Sequence, residues 1–348
     1  MSAQEARTPP LRFLLYATLS YSFPVLRPIQ AELQRRGHRV AWFLPDRSEA
    51  QRFLRPEEER LPDADAVMAF DAHALIAPGN KIPSFFPGIK VQVFHGFDSG
   101  KKGKFRIRGT FDLYCTQGPL TTRGFEAQRE RKGTFEVRET GWSKLDSLFT
   151  PQPAPVEFPS SKKLILYAPT FSPRLTSTGD LLPEIQRLSQ GGEWNWLVKL
   201  HPKATQEEAR QYKALDCDAL RFVETDAIVP LLQAADVLLS DTSSILTEFA
   251  LLGKPVVSYR GRRPADWVLA FDAAQQLEEC LRIALSRPPE LQEHLARHGR
   301  EAHPYDDGKS SERTVDAIES LIERGTEHLA PKPRNWFRRW KMRRRLLS

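Results

Sequence analysis

Short apolar runs, each followed by an amphipathic stretch, recur along the chain and restrict it to an α/β architecture. "LRFLLYA" leads into "PVLRPIQAELQRRG", where Val25, Ile29 and Leu33 share one helical face and Gly37 stands where a helix C-terminus favours glycine. "HRVAWFL" comes next, and the apolar runs "DAVMAF", "KVQVF" and "FDLYC" are expected as further strands of a parallel sheet covered by helices. Prolines and serines then cluster in "FTPQPAPVEFPSSKK", a composition suited to an exposed connection. The alternation restarts beyond it with "LILYAP", a helical stretch after Asp180, "NWLVKL", "QEEARQYKAL", "LRFVE", "AIVPLLQAA", "DVLLS", a helix from Ser244 and "PVVSY". The expectation is two Rossmann-like, doubly wound domains facing a cleft, residues 1–150 and 151–330, followed by a tail at 331–348. A chain of 348 residues is long enough to bury a core in each.

Charge and composition narrow the partners. The net charge of +7 resides in the tail, whose "PKPRNWFRRWKMRRRLLS" holds eight Lys or Arg and no acid, so the rest of the chain stands at −1. A near-neutral body argues against a nucleic-acid groove, and a basic, tryptophan-bearing end argues for docking on something anionic. No apolar run approaches the ~20 residues of a spanning helix, and "MSAQEARTPPLRFLLYATLSYSF" reads as a first strand cut short by Ser20 and Ser22, not as a signal peptide. Cys115, Cys217 and Cys280 are few and widely spaced, which points to a reducing cytoplasm and away from a disulfide framework. The "DAD" at Asp63 to Asp65 and the "DCD" at Asp216 to Asp218 are too short to assign a metal ligand.

Three clusters carry chemistry. In "DVLLSDTSSILTEF" a strand ends at Ser240, and Asp241, Ser243 and Ser244 gather hydroxyls and amides where a helix begins, a natural setting for phosphate. The same serines suit a simple helix cap, and the segment alone fits both readings. In "VKLHPKA" a strand ends in His201, with Lys199 on the same face and Lys203 beside it; an edge-strand histidine in solvent is the plainer alternative. In "VFHGFDSGKKGKFRIRGTFD" His95 follows an apolar strand and precedes a glycine-rich basic loop, able to wrap an anion or to lie solvated.

Taken in order, His95-Gly96, "TGWSKLD", "LYAPTF", "VKLHP", "LLSDTSS" with "EFALLGKPVV", and "DDGKSSERTVDAI" resemble the CDP-glycerol glycerophosphotransferase family, which includes teichoic-acid primases and polymerases. The likeness runs from about Val91 to Ile318. It implies a GT-B fold, CDP-glycerol or a related CDP-alditol as donor, no separate cofactor, and transfer of an alditol phosphate to an acceptor hydroxyl with release of CMP. The family's functional histidines fall on His95 and His201, and the serines of its Asp-Tyr-Ser-Ser motif on Ser243 and Ser244; here Thr242 stands in place of the tyrosine. His95 is then expected as the base for the acceptor hydroxyl, although the two histidines can be assigned in the opposite sense. Lys199, His201, Ser243 and Ser244 are expected to hold the donor's phosphates, Glu248 its ribose hydroxyls, and Asp241 is expected among the donor-binding residues.

The acceptor is expected to be an envelope glycan or lipid-linked hydroxyl. If "NWFRRWKMRRRLL" is helical, Trp336, Trp340 and Leu347 fall near one face, the pattern of an interfacial helix, so residues 334–348 are expected on an anionic membrane surface at the cytoplasmic side. Two other readings share the fold: a GT-B glycosyltransferase or sugar-nucleotide epimerase using a UDP-sugar, and a non-catalytic envelope-assembly factor.

Overall fold

A computed structural model describes residues 9–45, 49–97, 105, 107–153, 156–159, 161–225, 227–242, 245–261, 265–333 and 336–346. They form two compact units, one of residues 1–146 and 302–348 and the other of residues 147–301.

The first unit is built on β1 (Arg12–Tyr16), β2 (Arg39–Phe43), β3 (Ala74–Ala77), β4 (Ile89–Gln92), β5 (Leu113–Thr116) and β6 (Glu136–Glu139), in the order β2-β1-β3-β4-β5-β6. All its pairings are parallel, with Phe13 opposite both Val40 and Ala74. Helices α1 (Phe23–Arg35), α2 (Ala64–Phe70) and α3 (Pro119–Lys132) link these strands. Their apolar faces enclose a core holding Leu14, Phe43, Leu75, Tyr114 and Phe125.

The second unit holds β7 (Leu164–Tyr167), β8 (Asn195–Val198), β9 (Leu220–Phe222), β10 (Val237–Ser240), β11 (Val256–Tyr259) and β12 (Val268–Phe271), ordered β12-β11-β10-β7-β8-β9 and again parallel. Between and after them come α4 (Thr178–Gly191), α5 (Gln206–Lys213), α6 (Val229–Ala234), α7 (Ile245–Ala250), α8 (Leu277–Ser286) and α9 (Pro289–Ala302). Its central strands are buried on both faces, as helix-covered parallel strands must be.

The chain then returns to the first unit. Helix α10 (Ser310–Arg324) buries Val315, Ile318 and Leu321 and packs on α1. Arg36 at the end of α1 meets Asp316 at 2.7 Å and Glu319 at 2.6 Å, and His38 Nε2 meets Glu319 at 2.6 Å. The expected single division near residue 150 therefore needs a second crossing at residue 302, because the apolar stripe of α10 is covered by the first sheet's helices. Lys332 bonds the Thr110 carbonyl at 3.0 Å and pairs with Asp112, tying down the segment before α11 (Trp336–Leu346).

A second difference concerns "DAVMAF", expected as a strand and found as α2. The Asp63 carboxylate accepts the Ala66 N–H at 2.7 Å, Ala64, Val67 and Phe70 are buried at helical spacing, and Asp71 ends the helix in the left-handed region at φ 47°. The strand is the next run, "ALIA".

Candidate active site

In the second unit the strand order reverses between β7 and β10, which leaves a crevice at their carboxyl ends. Asp241, the residue after β10, sits there and is 1% exposed. Its carboxylate accepts the N–H of Thr170 at 3.0 and 3.1 Å, of Ser177 at 3.1 Å and of Thr242 at 2.6 Å, and the Ser177 hydroxyl at 3.2 Å. Burial raises its pKa, and these donors work against that rise. Asp241 folds the 168–177 loop onto the end of β10, since both of its oxygens accept from that loop or from its own neighbour. Ser240 Oγ donates to the Ala168 carbonyl at 2.6 Å and Ser258 Oγ to the Asp241 carbonyl at 2.8 Å, completing the joint. Glu248 is buried within α7. Ser243 and Ser244 lie outside the described residues.

His201 follows β8 on the other side of β7. Its Nδ1 accepts the Lys203 N–H at 3.1 Å, so the neutral ring carries its hydrogen on Nε2. Burial first, then Lys199 and Lys203, lower its pKa and keep it neutral. The ring packs on Phe171 at 4.3 Å between centroids, and Lys203 Nζ lies 5.3 Å from the Phe171 ring. A cavity of about 450 Å³ opens beside it, lined by His201, Pro202, Thr205, Phe222, Glu224 and Thr225 among others. His201 thus presents its Nε2–H beside this cavity.

The first unit has its own reversal, between β1 and β3. His95, exposed after β4, donates from Nδ1 to the Pro78 carbonyl after β3 at 3.3 Å. A carbonyl can only accept, so Nδ1 carries the hydrogen and Nε2 of the neutral ring keeps its lone pair. The Tyr21 ring, just after β1, stacks on the imidazole at 4.6 Å and 25°. Trp142 Nε1 donates to the Phe94 carbonyl at 3.3 Å and Gln117 Nε2 to the Gly96 carbonyl at 3.1 Å, so the backbone is held on both sides of His95. Most of the basic loop, residues 98–104 and 106, lies outside the described residues.

Two further motifs meet in this unit. From "TGWSKLD", the Asp146 carboxylate accepts the amides of Ser310 and Ser311, each at 2.8 Å, and so caps α10 in "DDGKSSERTVDAI". The Trp142 N–H donates to His303 Nε2 at 3.0 Å, and burial lowers the pKa of that imidazole to about 4. Gly141 packs against Ser310 and His303 at φ 81°, where no side chain fits. These residues join the C-terminal helix to the first sheet and hold Trp142 under the His95 segment.

The sequence marks His95, His201, Lys199, Asp241, Ser243, Ser244 and Glu248 as candidates, and does not single out Tyr21, Phe171, Thr170 or Ser177. Phe171 closes the "LYAPTF" motif as an exposed aromatic, 41% accessible, directly after a buried strand. Tyr21 lies in the 3-10 turn Ser20–Ser22 beyond the carboxyl end of β1, the side of a doubly wound sheet where ligands bind.

Residues 110–262 match the family of CDP-glycerol:poly(glycerophosphate) glycerophosphotransferases. A 104-residue segment is 38% identical to the teichoic acid glycerol-phosphate primase of Bacillus subtilis strain 168, and that alignment covers 28% of this chain and 26% of the primase, about a quarter of the relative's length. A variant of the wall teichoic acid polymerase TagF soaked with CDPG superposes with a TM-score of 0.62 at 15% identity, over 92% of this chain and 91% of that one. The UDP-GlcNAc 2-epimerase of Neisseria meningitidis, bound to UDP-GlcNAc, gives 0.61 at 13% identity, over 89% and 100%. These neighbours share the GT-B class of two parallel-sheet Rossmann-like units. Through residues 110–262 the chain is similar to the CDP-glycerol:poly(glycerophosphate) glycerophosphotransferase family.

Proposed function

We propose that this protein transfers glycerol phosphate from CDP-glycerol to a hydroxyl of an envelope glycan or lipid-linked acceptor, releasing CMP. The observation that carries the roles is the opposite polarity of the two histidines: His95 bonds a carbonyl through Nδ1 and leaves Nε2 as a base, whereas His201 accepts an amide at Nδ1 and leaves Nε2–H as a donor. The acceptor oxygen attacks the phosphorus that bears glycerol, its proton passes to His95 Nε2, and the bond from that phosphorus to the bridging oxygen breaks, with the electron pair leaving on CMP. CMP is a good leaving group as a phosphate and needs no strong general acid. His201 and Lys199 bind the pyrophosphate, joined, by the resemblance, by Ser243 and Ser244. Glu248, in the helix after β10, holds the ribose hydroxyls. Asp241 acts as a positioning residue for the 168–177 loop.

The tail supports a membrane-bound acceptor. Trp336, Phe337 and Trp340 are 68%, 78% and 53% exposed, whereas Leu346 packs against the first unit's core and Arg343 lies over Phe85 at 5.5 Å. Helix α11 is therefore anchored at its C-terminal end and presents an aromatic, cationic surface, suited to anionic headgroups on the cytoplasmic face of a membrane. No helix among the described residues is long and apolar enough to cross one. The test is nucleotide release by the purified protein with membrane extract as acceptor source: CMP from CDP-glycerol is expected, and UDP release from a UDP-sugar with CDP-glycerol inert would replace this reading.

A further inference from the structure

We propose that Tyr21 is a positioning residue that sets the plane and tautomer of His95; the catalytic consequence rests on the transferase reading above. The backbone around His95 is well held, since the Phe94 and Gly96 carbonyls are bonded by Trp142 Nε1 and Gln117 Nε2 at 3.3 and 3.1 Å. Trp142 and Gln117 are themselves buried at 3% and 0% exposure, so both anchors are fixed. Phe94 is driven into the left-handed region at φ 55°, a conformation that a bulky aromatic adopts only when its surroundings impose it. These contacts set where the His95 side chain starts, but not where its ring points.

Two contacts set the ring. One is the Nδ1 bond to the Pro78 carbonyl, long at 3.3 Å and made by an exposed side chain in competition with water. The other is the Tyr21 ring, stacked at 4.6 Å and 25°. Tilting the imidazole out of its plane breaks the stack, and within that plane only the flip that brings Nδ1 to the Pro78 carbonyl makes the bond, so Tyr21 holds the ring where the weak bond can form. A free imidazole in water favours the hydrogen on Nε2, and with that tautomer the outer nitrogen is a donor with no lone pair for an acceptor hydroxyl. Holding Nδ1 against a carbonyl inverts this preference. Tyr21 and Pro78 follow β1 and β3, the strands between which the sheet order reverses, so the strands' own register delivers both groups to the same edge.

The aromatic face is what acts in this account, so phenylalanine serves and an aliphatic side chain does not. The test uses the full chain with ¹⁵N-labelled histidine, the His95 signals being identified by their loss in His95→Gln. Wild type and Tyr21→Phe are expected to show the Nδ1–H pattern, and Tyr21→Ala and Tyr21→Leu the mixture of free imidazole, dominated by Nε2–H. In the CMP-release assay kcat is expected to fall tenfold or more in Tyr21→Ala and Tyr21→Leu with the donor KM within twofold, and to stay within twofold in Tyr21→Phe. Tyr21→Leu keeps apolar bulk and guards against an unfolded alanine variant. An unchanged Nδ1–H pattern in folded Tyr21→Ala or Tyr21→Leu, or equal loss of kcat in the phenylalanine and alanine variants, overturns the proposal. Absence of CMP release by wild type overturns the transferase reading instead, and the nitrogen spectra still decide what Tyr21 does to His95.

Discussion

Replacing Asp241 with alanine removes the acceptor that four donors share: the amides of Thr170, Ser177 and Thr242 and the hydroxyl of Ser177. Ser177 is 1% exposed, so its amide has no route to water and bears the full cost of an unmet donor, about 1–3 kcal/mol. Thr170 and Thr242 are half-buried and recover part of their loss through solvent. Relief of a buried charge works in the opposite direction, since burial is the largest influence on this carboxyl. Together these effects give a net destabilisation of about 3–5 kcal/mol for Asp241→Ala. Asp241→Asn keeps one acceptor oxygen but turns an NH₂ toward a group of donors, and is expected to cost about 2–3 kcal/mol. Urea unfolding, followed by circular dichroism and tryptophan fluorescence, measures this on the transition of the second unit, which contains Trp194 and Trp196. The 168–177 loop is expected to become protease-sensitive and the donor KM to rise. An Asp241→Ala protein within 1 kcal/mol of wild type, on the scale of an ordinary surface substitution, would refute the reasoning.

Other predictions follow from the same contacts. The fold holds the His303 imidazole down to about 4, against about 6.5 in an unfolded chain, so unfolding takes up a proton that the fold excludes: the stability this neutral ring provides is present above pH 6.5 and is lost as pH falls toward 4. The stability gap between wild type and His303→Asn should accordingly narrow by about 3 kcal/mol between pH 7 and pH 4, and a gap that stays constant contradicts the assignment. Glu248→Gln should raise the KM for CDP-glycerol about tenfold or more, equivalent to one lost charge-assisted bond, with little change for a donor lacking ribose hydroxyls; an unchanged KM removes Glu248 from the ribose site. Replacing Trp336, Phe337 and Trp340 together by alanine should weaken binding to phosphatidylserine-containing vesicles by at least tenfold without altering the melting temperature, because all three rings are exposed. Equal vesicle binding by the two proteins would make the tail a solvated helix.

The alternation of apolar runs and amphipathic helices was legible because each central strand is buried on both faces and reads as a continuous apolar string. The edges were not: β6 is "EVRE" and β12 is partly exposed, so neither has the composition of a buried strand. "DAVMAF" carries enough apolar residues for either element, and the deciding signals were its flanks, Asp63 as a cap and Asp71 as a stop. The return of the chain at residue 302 was hidden for another reason: α10 is visibly amphipathic, but which sheet's helices cover its stripe is a non-local fact. In the site, residue type and strand-end position made His95 and His201 candidates, and their roles came from the family resemblance. Their tautomers were out of reach, because they depend on the Pro78 carbonyl and the Lys203 amide, groups every residue possesses. Asp241 looked like a ligand-binding acid from its place in "LLSDTSS", and only the folded 168–177 loop shows where its oxygens go.

The most direct test of the central claim is CMP release from CDP-glycerol by the purified full chain with membrane extract, comparing wild type, His95→Gln and His201→Gln and measuring donor binding in parallel. His95→Gln is expected to bind CDP-glycerol normally but to lose roughly 10²- to 10⁴-fold in kcat, as removal of a general base does, whereas His201→Gln is expected to lose donor affinity. Normal turnover in both variants, or loss of donor binding in His95→Gln with none in His201→Gln, would contradict the claim.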